Sequence, residues 1–415
     1  MLHGKRVILG ISGGIAAYKG PALVRALVEA GAEVRVILTR SAVEFVAPLA
    51  LQAVSHNAVG LDLFDPAYEA QIGHIELARW ADAVLVAPTT ANLLARLAYG
   101  LCDDLLTTVL CATRAPVVLA PAMNSQMLAH PAVQANLALL AAREGHLIVQ
   151  PDQGALACQE IGPGRMPDPE VLIAALAGAL SPRRLEGRRA LITAGPTREA
   201  IDPVRFLSNP SSGKMGFAVA RAAALLGARV TLVAGPVSLP DPVGVERIDV
   251  VSAEEMFEAV MARVQHPDPD QRPEVVVKAA AVADWRPAQV ADHKVKKTEG
   301  EQLTLVMERT RDIRAGLGAL PDDRRPILVG FAAETRDLDR YALDKLNRKN
   351  LDMIVANQVS GPTSAFGADL NAVTLFDRQG GRVDLGPAPK DEIAAGIWGH
   401  LLAISPQLGA RSRPE

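Results

Sequence analysis

Short runs of Val, Ile, Leu and Ala recur along this chain, and each is followed by an Ala-rich stretch with helical spacing. The runs fall in two series, at 5–10, 33–38, 83–87, 116–120 and 146–149, and again at 189–193, 229–234, 274–279, 327–331 and 352–356. A run that is apolar at nearly every position has no face to offer water, so as a strand it needs cover on both sides. Helices between successive strands supply that cover and return the chain for parallel pairing. The expectation is an α/β protein of two doubly wound, mostly parallel-sheet, Rossmann-like domains. A length of 415 residues suits two or three domains of ordinary size. SPRRLEG at 181–187 brings Pro, Gly and clustered charge after the apolar segment VLIAALAGAL, and marks the boundary. The predicted domains are 1–183 and 184–404, with 405–415 as a disordered tail and HPDPDQRPE at 266–274 as a surface loop.

Composition excludes several classes. Aromatic residues are only 4%, so cores must be built from Ala, Val and Leu. A net charge of -3 argues against nucleic acid as a partner. No apolar run approaches the roughly 20 residues of a membrane span. The N-terminus has a basic start and an apolar run, but Gly13-Gly14 and Lys19 interrupt any signal-peptide core; a cytoplasmic protein is expected. Cys102, Cys111 and Cys158 show no paired spacing, which speaks against structural disulfides and a zinc site.

LITAGPTREAIDPVRFLSNPSSGKMG, residues 191–216, begins as a strand and passes through a Gly-Pro turn into a long polar loop. Asp202, Arg205, Ser208, Asn209, Ser211, Ser212 and Lys214 lie on that loop, ahead of an Ala-rich helix near Met215. Ligands of open α/β sheets sit at the carboxyl ends of strands, where helix N-termini attract phosphate. The loop is therefore a candidate site for an anionic, hydroxyl-rich small molecule. It is not a P-loop: no Gly stands five residues before Gly213, and Met215 replaces the Ser or Thr that would hold a metal. Further along, Lys294 and Lys296 share one face if HKVKK is a strand, and Lys345 and Lys349 lie four apart on one helix face. Like charges at that spacing disfavour a helix by about 0.2–0.5 kcal/mol, and a bound anion reverses the sign. A solvated basic face is the other reading. Asp284 and Phe331 end strands, where nucleotide contacts belong.

The first half opens with the same theme of strand, small-residue turn and polar segment. Ser12 and the amides of Gly13 and Gly14 stand before a helix that begins near Ile15, a place suited to phosphate. The pattern is not the dinucleotide fingerprint, and the second strand ends in Thr39-Arg40 rather than in an acid, so a mononucleotide such as FMN fits better than NAD. Thr89, Thr90, Ala91 and Asn92 sit at another helix start; they suit the edge of a flat ring, or serve as simple N-caps. His74 precedes a helix, Asn124 follows a strand in PAMN, and Cys158 lies in a loop dense in Gly and Pro.

Taken in order, these motifs resemble those of the bacterial bifunctional phosphopantothenoylcysteine decarboxylase / phosphopantothenate–cysteine ligase family of coenzyme A synthesis. The likeness runs over almost all of 4–400, through GISGGIAAYK, the box at His74, PAMN, LAC with IGPGRM, GPTRE through SSGKMG, AAVADWRP, GFAAET and KN-x-D. The resemblance implies that FMN oxidises the thiol-bearing carbon of an acylated cysteine, so that loss of carbon dioxide finds an electron sink. It implies His74 as base, Asn124 as holder of the substrate carboxylate and Cys158 as proton donor, with FMN at Ser12, Gly13, Gly14, Thr39, Thr89, Thr90, Ala91 and Asn92. For the ligase it implies CTP at Ala280, Ala281, Asp284, Lys294, Phe331, Lys345 and Lys349, with magnesium on the triphosphate and no metal ligands identified. Lys294 would stabilise charge in acyl-cytidylate formation, and Asn209 and Arg205 would hold the intermediate for attack by cysteine. The partners implied are 4′-phosphopantothenate, cysteine and CTP, in a homo-oligomer of flavin-domain trimers and ligase-domain dimers. Gln159 and Glu160 stand where Gly is more often expected, and Leu128 where a larger aromatic is. A non-catalytic regulatory subunit on the same scaffold would lack the histidine or the cysteine, and a peptidyl-cysteine decarboxylase would leave the second half unexplained.

Overall fold

The computed structural model describes residues 2–65, 72–157, 160–296, 303–318, 320–321, 324–334, 337–358 and 370–409. The chain forms two compact units, Met1–Pro182 and Arg183–Glu415.

In the first unit, strands β1 (Arg6–Ile11), β2 (Glu33–Leu38), β3 (Ala83–Thr89), β4 (Val117–Pro121) and β5 (His146–Ile148) form one parallel sheet in the order β2-β1-β3-β4-β5. Successive residues of β1, β3 and β4 are buried on both faces. Ile8, Ile37, Val84, Val86, Val117 and Leu119 pack on one side against Leu77, Leu93 and Leu106. Val7, Leu9, Leu85 and Val118, at the intervening positions, are also fully buried. This is what apolar runs without alternation require. The Gly-Pro-rich stretch after β5, read above as a loop, is instead an antiparallel hairpin of β6 (Asp152–Ala155) and β7 (Ile161–Arg165). Cys158 and Gln159 lie outside the described residues.

The second unit carries β8 (Arg189–Ala194), β9 (Arg198–Ala200), β10 (Phe206–Ser208), β11 (Arg229–Ala234), β12 (Val245–Asp249), β13 (Val275–Lys278), β14 (Trp285–Pro287), β15 (Met307–Arg309), β16 (Ile327–Glu334), β17 (Met353–Gln358), β18 (Leu370–Asp377) and β19 (Arg382–Pro389). Its main sheet runs β12-β11-β8-β13-β16-β17-β18-β19, parallel through β17 and antiparallel beyond it. Alternate residues face opposite cores. Ile192, Leu232, Val277 and Val355 join the helices Lys214–Leu225 and Lys390–Ile404, while Leu191, Val233, Val276 and Ile354 join Ala253–Val264 and Leu338–Arg348. Trp398, fully buried, donates its indole N–H to the Val219 carbonyl at 2.9 Å and so clamps two helices.

Four expectations need correction here. The polar loop after β8 contains the two-stranded hairpin β9–β10. HKVKK is not a strand: residues 291–296 have no ladder and are tied instead to the turn at Asp202. The last two strands, β18 and β19, lie beyond the runs read from the sequence. The tail is ordered as far as Gly409, because Leu408 is buried and Arg188 donates to the carbonyls of Gln407, Leu408 and Gly409; 410–415 lie outside the described residues.

The turn between β18 and β19 is closed by one carboxylate. Asp377 Oδ1 accepts from the Gln379 and Gly381 N–H groups at 2.8 and 2.9 Å, and Oδ2 meets His400 Nε2 at 2.8 Å. Burial works against the charged form, but the Gly381 N–H, His400 and the Gln379 N–H outweigh it, so the Asp377 carboxyl lies below its ordinary value of 3.8. A depressed native pKa means stability that is present above the unfolded value and lost as pH falls through the native one. Asp377→Asn is expected to destabilise this unit at pH 7 by roughly 1–3 kcal/mol, the cost of removing hydrogen bonds to a charged group. The gap from the native chain should close as pH falls below about 4. Urea unfolding followed by tryptophan fluorescence, from pH 7 down to about pH 2, measures both; a gap that stayed constant over that range would count against this account.

Candidate active sites

Strand order reverses between β1 and β3 in the first unit and between β8 and β13 in the second. Chains leaving the carboxyl ends of such neighbours turn away to opposite sides and leave a crevice, the usual place for a ligand.

At the first crevice the motif after β1 meets the motif after β3. Ser12 is buried; its hydroxyl lies 2.8 Å from the Pro88 carbonyl and accepts from the Thr90 N–H at 3.0 Å. Ser12 therefore ties the two loops together and spends its hydroxyl on protein partners. Thr89 is also buried and donates to Val86 O at 2.8 Å, which leaves only its backbone for a ligand. Thr90 caps the helix Ala91–Tyr99, accepting from Leu93 N–H at 3.4 Å; Ala91 is half-buried and Asn92 exposed at its start. Thr39 is buried, with its hydroxyl 3.4 Å from that of Ser41. A Cβ on Gly13 would meet Ser41 Oγ at 2.3 Å, and one on Gly14 would meet Thr90 Cγ2 at 3.4 Å. The Gly-Gly turn thus lies between the ends of β2 and β3, and at Gly13 only bare backbone fits. Ser41 is a neighbour that no motif announced. Hydroxyls, glycine amides ahead of a first helical turn and the exposed Arg40 make a donor set that fits a phosphate.

Two further residues frame this unit's chemistry. His74 is half-buried and opens the helix His74–Trp80. Asn124 follows β4 and caps the helix Ser125–Ala129: its Oδ1 accepts from Gln126 N–H at 2.8 Å. That bond fixes the amide, so Nδ2 faces away from the helix, and it donates to a Glu160 carboxylate oxygen at 3.0 Å. The hairpin bearing Glu160 is held on the PAMN segment by Met123 N–H to Gly164 O at 3.0 Å and by Ser125 Oγ to Pro163 O at 2.9 Å.

The second crevice is a cavity of about 1140 Å³. Asn209, Ala280, Ala281, Asp284, Phe331, Lys345 and Lys349 all line it. Its floor is stitched across the switch point: Asn209 Nδ2 donates to the carbonyls of Ala281 and Val282 at 3.3 and 3.2 Å, and Thr197 Oγ1 accepts from Ala283 N–H at 3.0 Å. Gly213 takes a φ of +74°, favoured by glycine, as the chain enters the helix at Lys214. Among the described residues, lysines and arginines on the wall far outnumber the carboxylates of Asp284 and Asp312. Lys349 pairs with Asp312, so the basic helix face is partly neutralised without any ligand. Lys278 and Lys390, both buried, also line the cavity and were missed by the sequence reading. Lys278 has a visible signal, a charge closing the apolar strand VVVK; Lys390 has none. Arg205 and Lys294 are not among the lining residues; Arg205 is engaged by Asp202 and the Val295 carbonyl.

The Flavoprotein family model matches residues 1–181, and that of the DNA/pantothenate metabolism flavoprotein C-terminal domain matches 185–404. The coenzyme A biosynthesis bifunctional protein of Vibrio cholerae is 53% identical over 402 residues, covering 97% of this chain and 98% of the relative. The chain belongs to the bifunctional coenzyme A biosynthesis family. The relatives of that name in Escherichia coli K12 and Bacillus subtilis 168 are 53% and 48% identical, over 92% and 99% of this chain and 93% and 100% of theirs. As a member of this family the chain is a bifunctional enzyme, a flavoprotein decarboxylase in its first half and a ligase in its second. No helix among the described residues is long and apolar enough to cross a membrane.

Gly164 tests the hairpin's place in the decarboxylase. Its φ is +135°, and a Cβ there would meet the Met123 carbonyl oxygen at 2.1 Å. Gly164→Ala must lift the hairpin from PAMN, and decarboxylation should fall on the order of 100-fold, as misplacements near 1 Å do. Ligation by the same chain should not change. Steady-state assays of each half-reaction measure this; decarboxylation within threefold of native would show that the contact is dispensable.

Proposed function

We propose that the enzyme joins 4′-phosphopantothenate to cysteine at the expense of CTP and then decarboxylates the product to 4′-phosphopantetheine with FMN, in the cytoplasm, the two activities residing in 1–183 and 184–404. One observation carries the reading: each unit gathers its polar motif at a switch point, Ser12 bonded to Thr90 in one and Asn209 bonded to Ala281 and Val282 in the other.

In the flavin half, Gly13, Gly14, Thr39, Thr90, Ala91 and Asn92 hold FMN, with Ser12 and Thr89 supporting them from beneath. FMN held there would supply a two-electron sink for the thiol-bearing carbon of the substrate. Asn124 orients the substrate carboxylate, a role supported by its fixed amide already meeting a carboxylate. His74 accepts a proton near the substrate, and Cys158 returns one to the enethiolate.

In the ligase half, the cationic wall suits two anionic substrates in one cavity. Lys345, Lys349, Asp284, Phe331 and the backbone at Ala280 and Ala281 hold CTP. The substrate carboxylate attacks the α-phosphorus, pyrophosphate leaves, and Lys294 meets the charge that develops. Asn209 holds the acyl-cytidylate while the amine of cysteine displaces CMP. Magnesium rides on the triphosphate; among the described residues no group of three or more His, Cys, Asp or Glu is placed to hold a metal, and Mg²⁺ commonly keeps waters and phosphate oxygens instead. The assembly proposed is a homo-oligomer, with trimers of the flavin half and dimers of the ligase half; exposed Ile15, Tyr18 and Tyr99 leave apolar surface on the flavin half for such contacts.

Incubation with 4′-phosphopantothenate, magnesium and CTP, without cysteine, should release pyrophosphate and accumulate the acyl-cytidylate by mass spectrometry. Equal turnover with ATP would overturn the choice of nucleotide. The flavin released on denaturation should have the mass of FMN; FAD would overturn the choice of cofactor.

A further inference from the structure

Asp202 stands in the DPVR motif, and its side chain is fully buried although it lines neither crevice. Its two oxygens have separate duties. Oδ1 accepts from the N–H groups of Val204 and Arg205 at 2.9 and 2.8 Å, closing its own turn. Oδ2 accepts from Arg205 Nε and Nη2 at 2.9 and 2.6 Å and from Val295 N–H at 3.1 Å. Arg205 Nη2 donates in turn to the Val295 carbonyl at 2.8 Å, and Ala291 N–H donates to Ile201 O at 3.0 Å. Both backbone groups of Val295, the neighbour of Lys294, are therefore held on one turn. Residues 291–296 have no strand partner, so this turn is what orders them. The Arg205 guanidinium also holds the Asp202 carboxyl far below the usual carboxylate range, which keeps the anchor charged.

We infer that Asp202 is a positioning residue of the ligase, acting through Arg205 and Val295 to fix the backbone that carries Lys294. This rests on the reading of Lys294 as the cation that meets charge in acyl-nucleotide formation. With the backbone anchored, only the lysine side chain must order itself at the moment of reaction.

Asp202→Asn separates the two duties. The amide oxygen can still accept from Val204 and Arg205, so the turn and the fold survive, while an NH₂ replaces the oxygen that reaches Arg205 and Val295. In the full-length protein, hydrogen exchange of 291–296 should quicken at least about tenfold, with β8 and β13 unchanged. The ligation kcat should drop by about tenfold or more, with KM for CTP within about threefold, because an anchor acts on orientation rather than on binding. Decarboxylation of added 4′-phosphopantothenoylcysteine is the internal control and should not change. Arg205→Gln, which removes only the bond to the Val295 carbonyl and the ion pair, should give the same pattern more weakly. Faster exchange in 291–296 with an unchanged kcat would overturn the inference, as would faster exchange spread over the whole unit. Lys294→Gln distinguishes the two levels: unchanged ligation there would overturn the reading of Lys294, while the exchange result would still report on the anchor.

Discussion

Asn124→Asp should lower decarboxylation on the order of a thousandfold and leave ligation at its native rate. Aspartate is as good an N-cap as asparagine, so the acceptor for Gln126 N–H remains and the helix Ser125–Ala129 should stand. What changes is the other half of the side chain. The Nδ2 that donates to Glu160 becomes an anionic oxygen facing a carboxylate, first that of Glu160 and then that of the substrate. Loss of a hydrogen bond to a charged partner costs about 1.5–3 kcal/mol. Two like charges about 4 Å apart add about 1–4 kcal/mol of repulsion between the limits of water and a protein surface. A total near 4 kcal/mol is about a thousandfold in rate. Carbon dioxide release from 4′-phosphopantothenoylcysteine measures it, and a loss smaller than tenfold would remove Asn124 from carboxylate recognition.

The mirror experiment is Asn209→Asp, for which ligation should fall on the order of a hundredfold with decarboxylation intact. Asn209 donates to two backbone carbonyls on the cavity floor, at Ala281 and Val282. A carboxylate in that place loses two hydrogen bonds, each worth about 0.5–1.5 kcal/mol, and turns its charge on both carbonyls and on an anionic substrate. A sum near 3 kcal/mol corresponds to about a hundredfold. The two substitutions together make a separability test: a folded variant that lost both activities would show that the two crevices are not independent sites.

The ten strands read from the sequence reappear, all but the half-exposed β5 because strands buried on both faces must be apolar at consecutive positions. Val275, Val276 and Val277 face alternating cores, and no solvent-exposed residue can interrupt such a run. The same logic hides β19: its residues alternate between half-buried and exposed at the sheet's edge, so RVDLGPAP looks like loop. Gly154, Gly162 and Gly164 concealed the hairpin β6–β7, since glycine gives no alternation to read. HKVKK offered alternation without a partner strand. What orders it is a buried carboxylate 93 residues earlier in sequence, and no local pattern announces that. The motif residues Asn124, Asn209, Lys345 and Lys349 could be named because strand ends and a helix place them; Asp284 and Phe331 were expected to end strands, but Asp284 stands just before β14 and Phe331 lies within β16. Ser41 and Lys390 could not be named, because their positions depend on elements distant in sequence; Lys278 closes an apolar strand and was readable, and Glu160 stood out only as a departure from the motif after the cysteine.

Mass spectrometry of the products from purified protein supplied with 4′-phosphopantothenate, cysteine, magnesium and CTP tests the central claim most directly. The account predicts 4′-phosphopantetheine and CMP from a single incubation, with 4′-phosphopantothenoylcysteine as a transient. A product mixture that stops at 4′-phosphopantothenoylcysteine in FMN-saturated protein, or that contains no CMP, would contradict it.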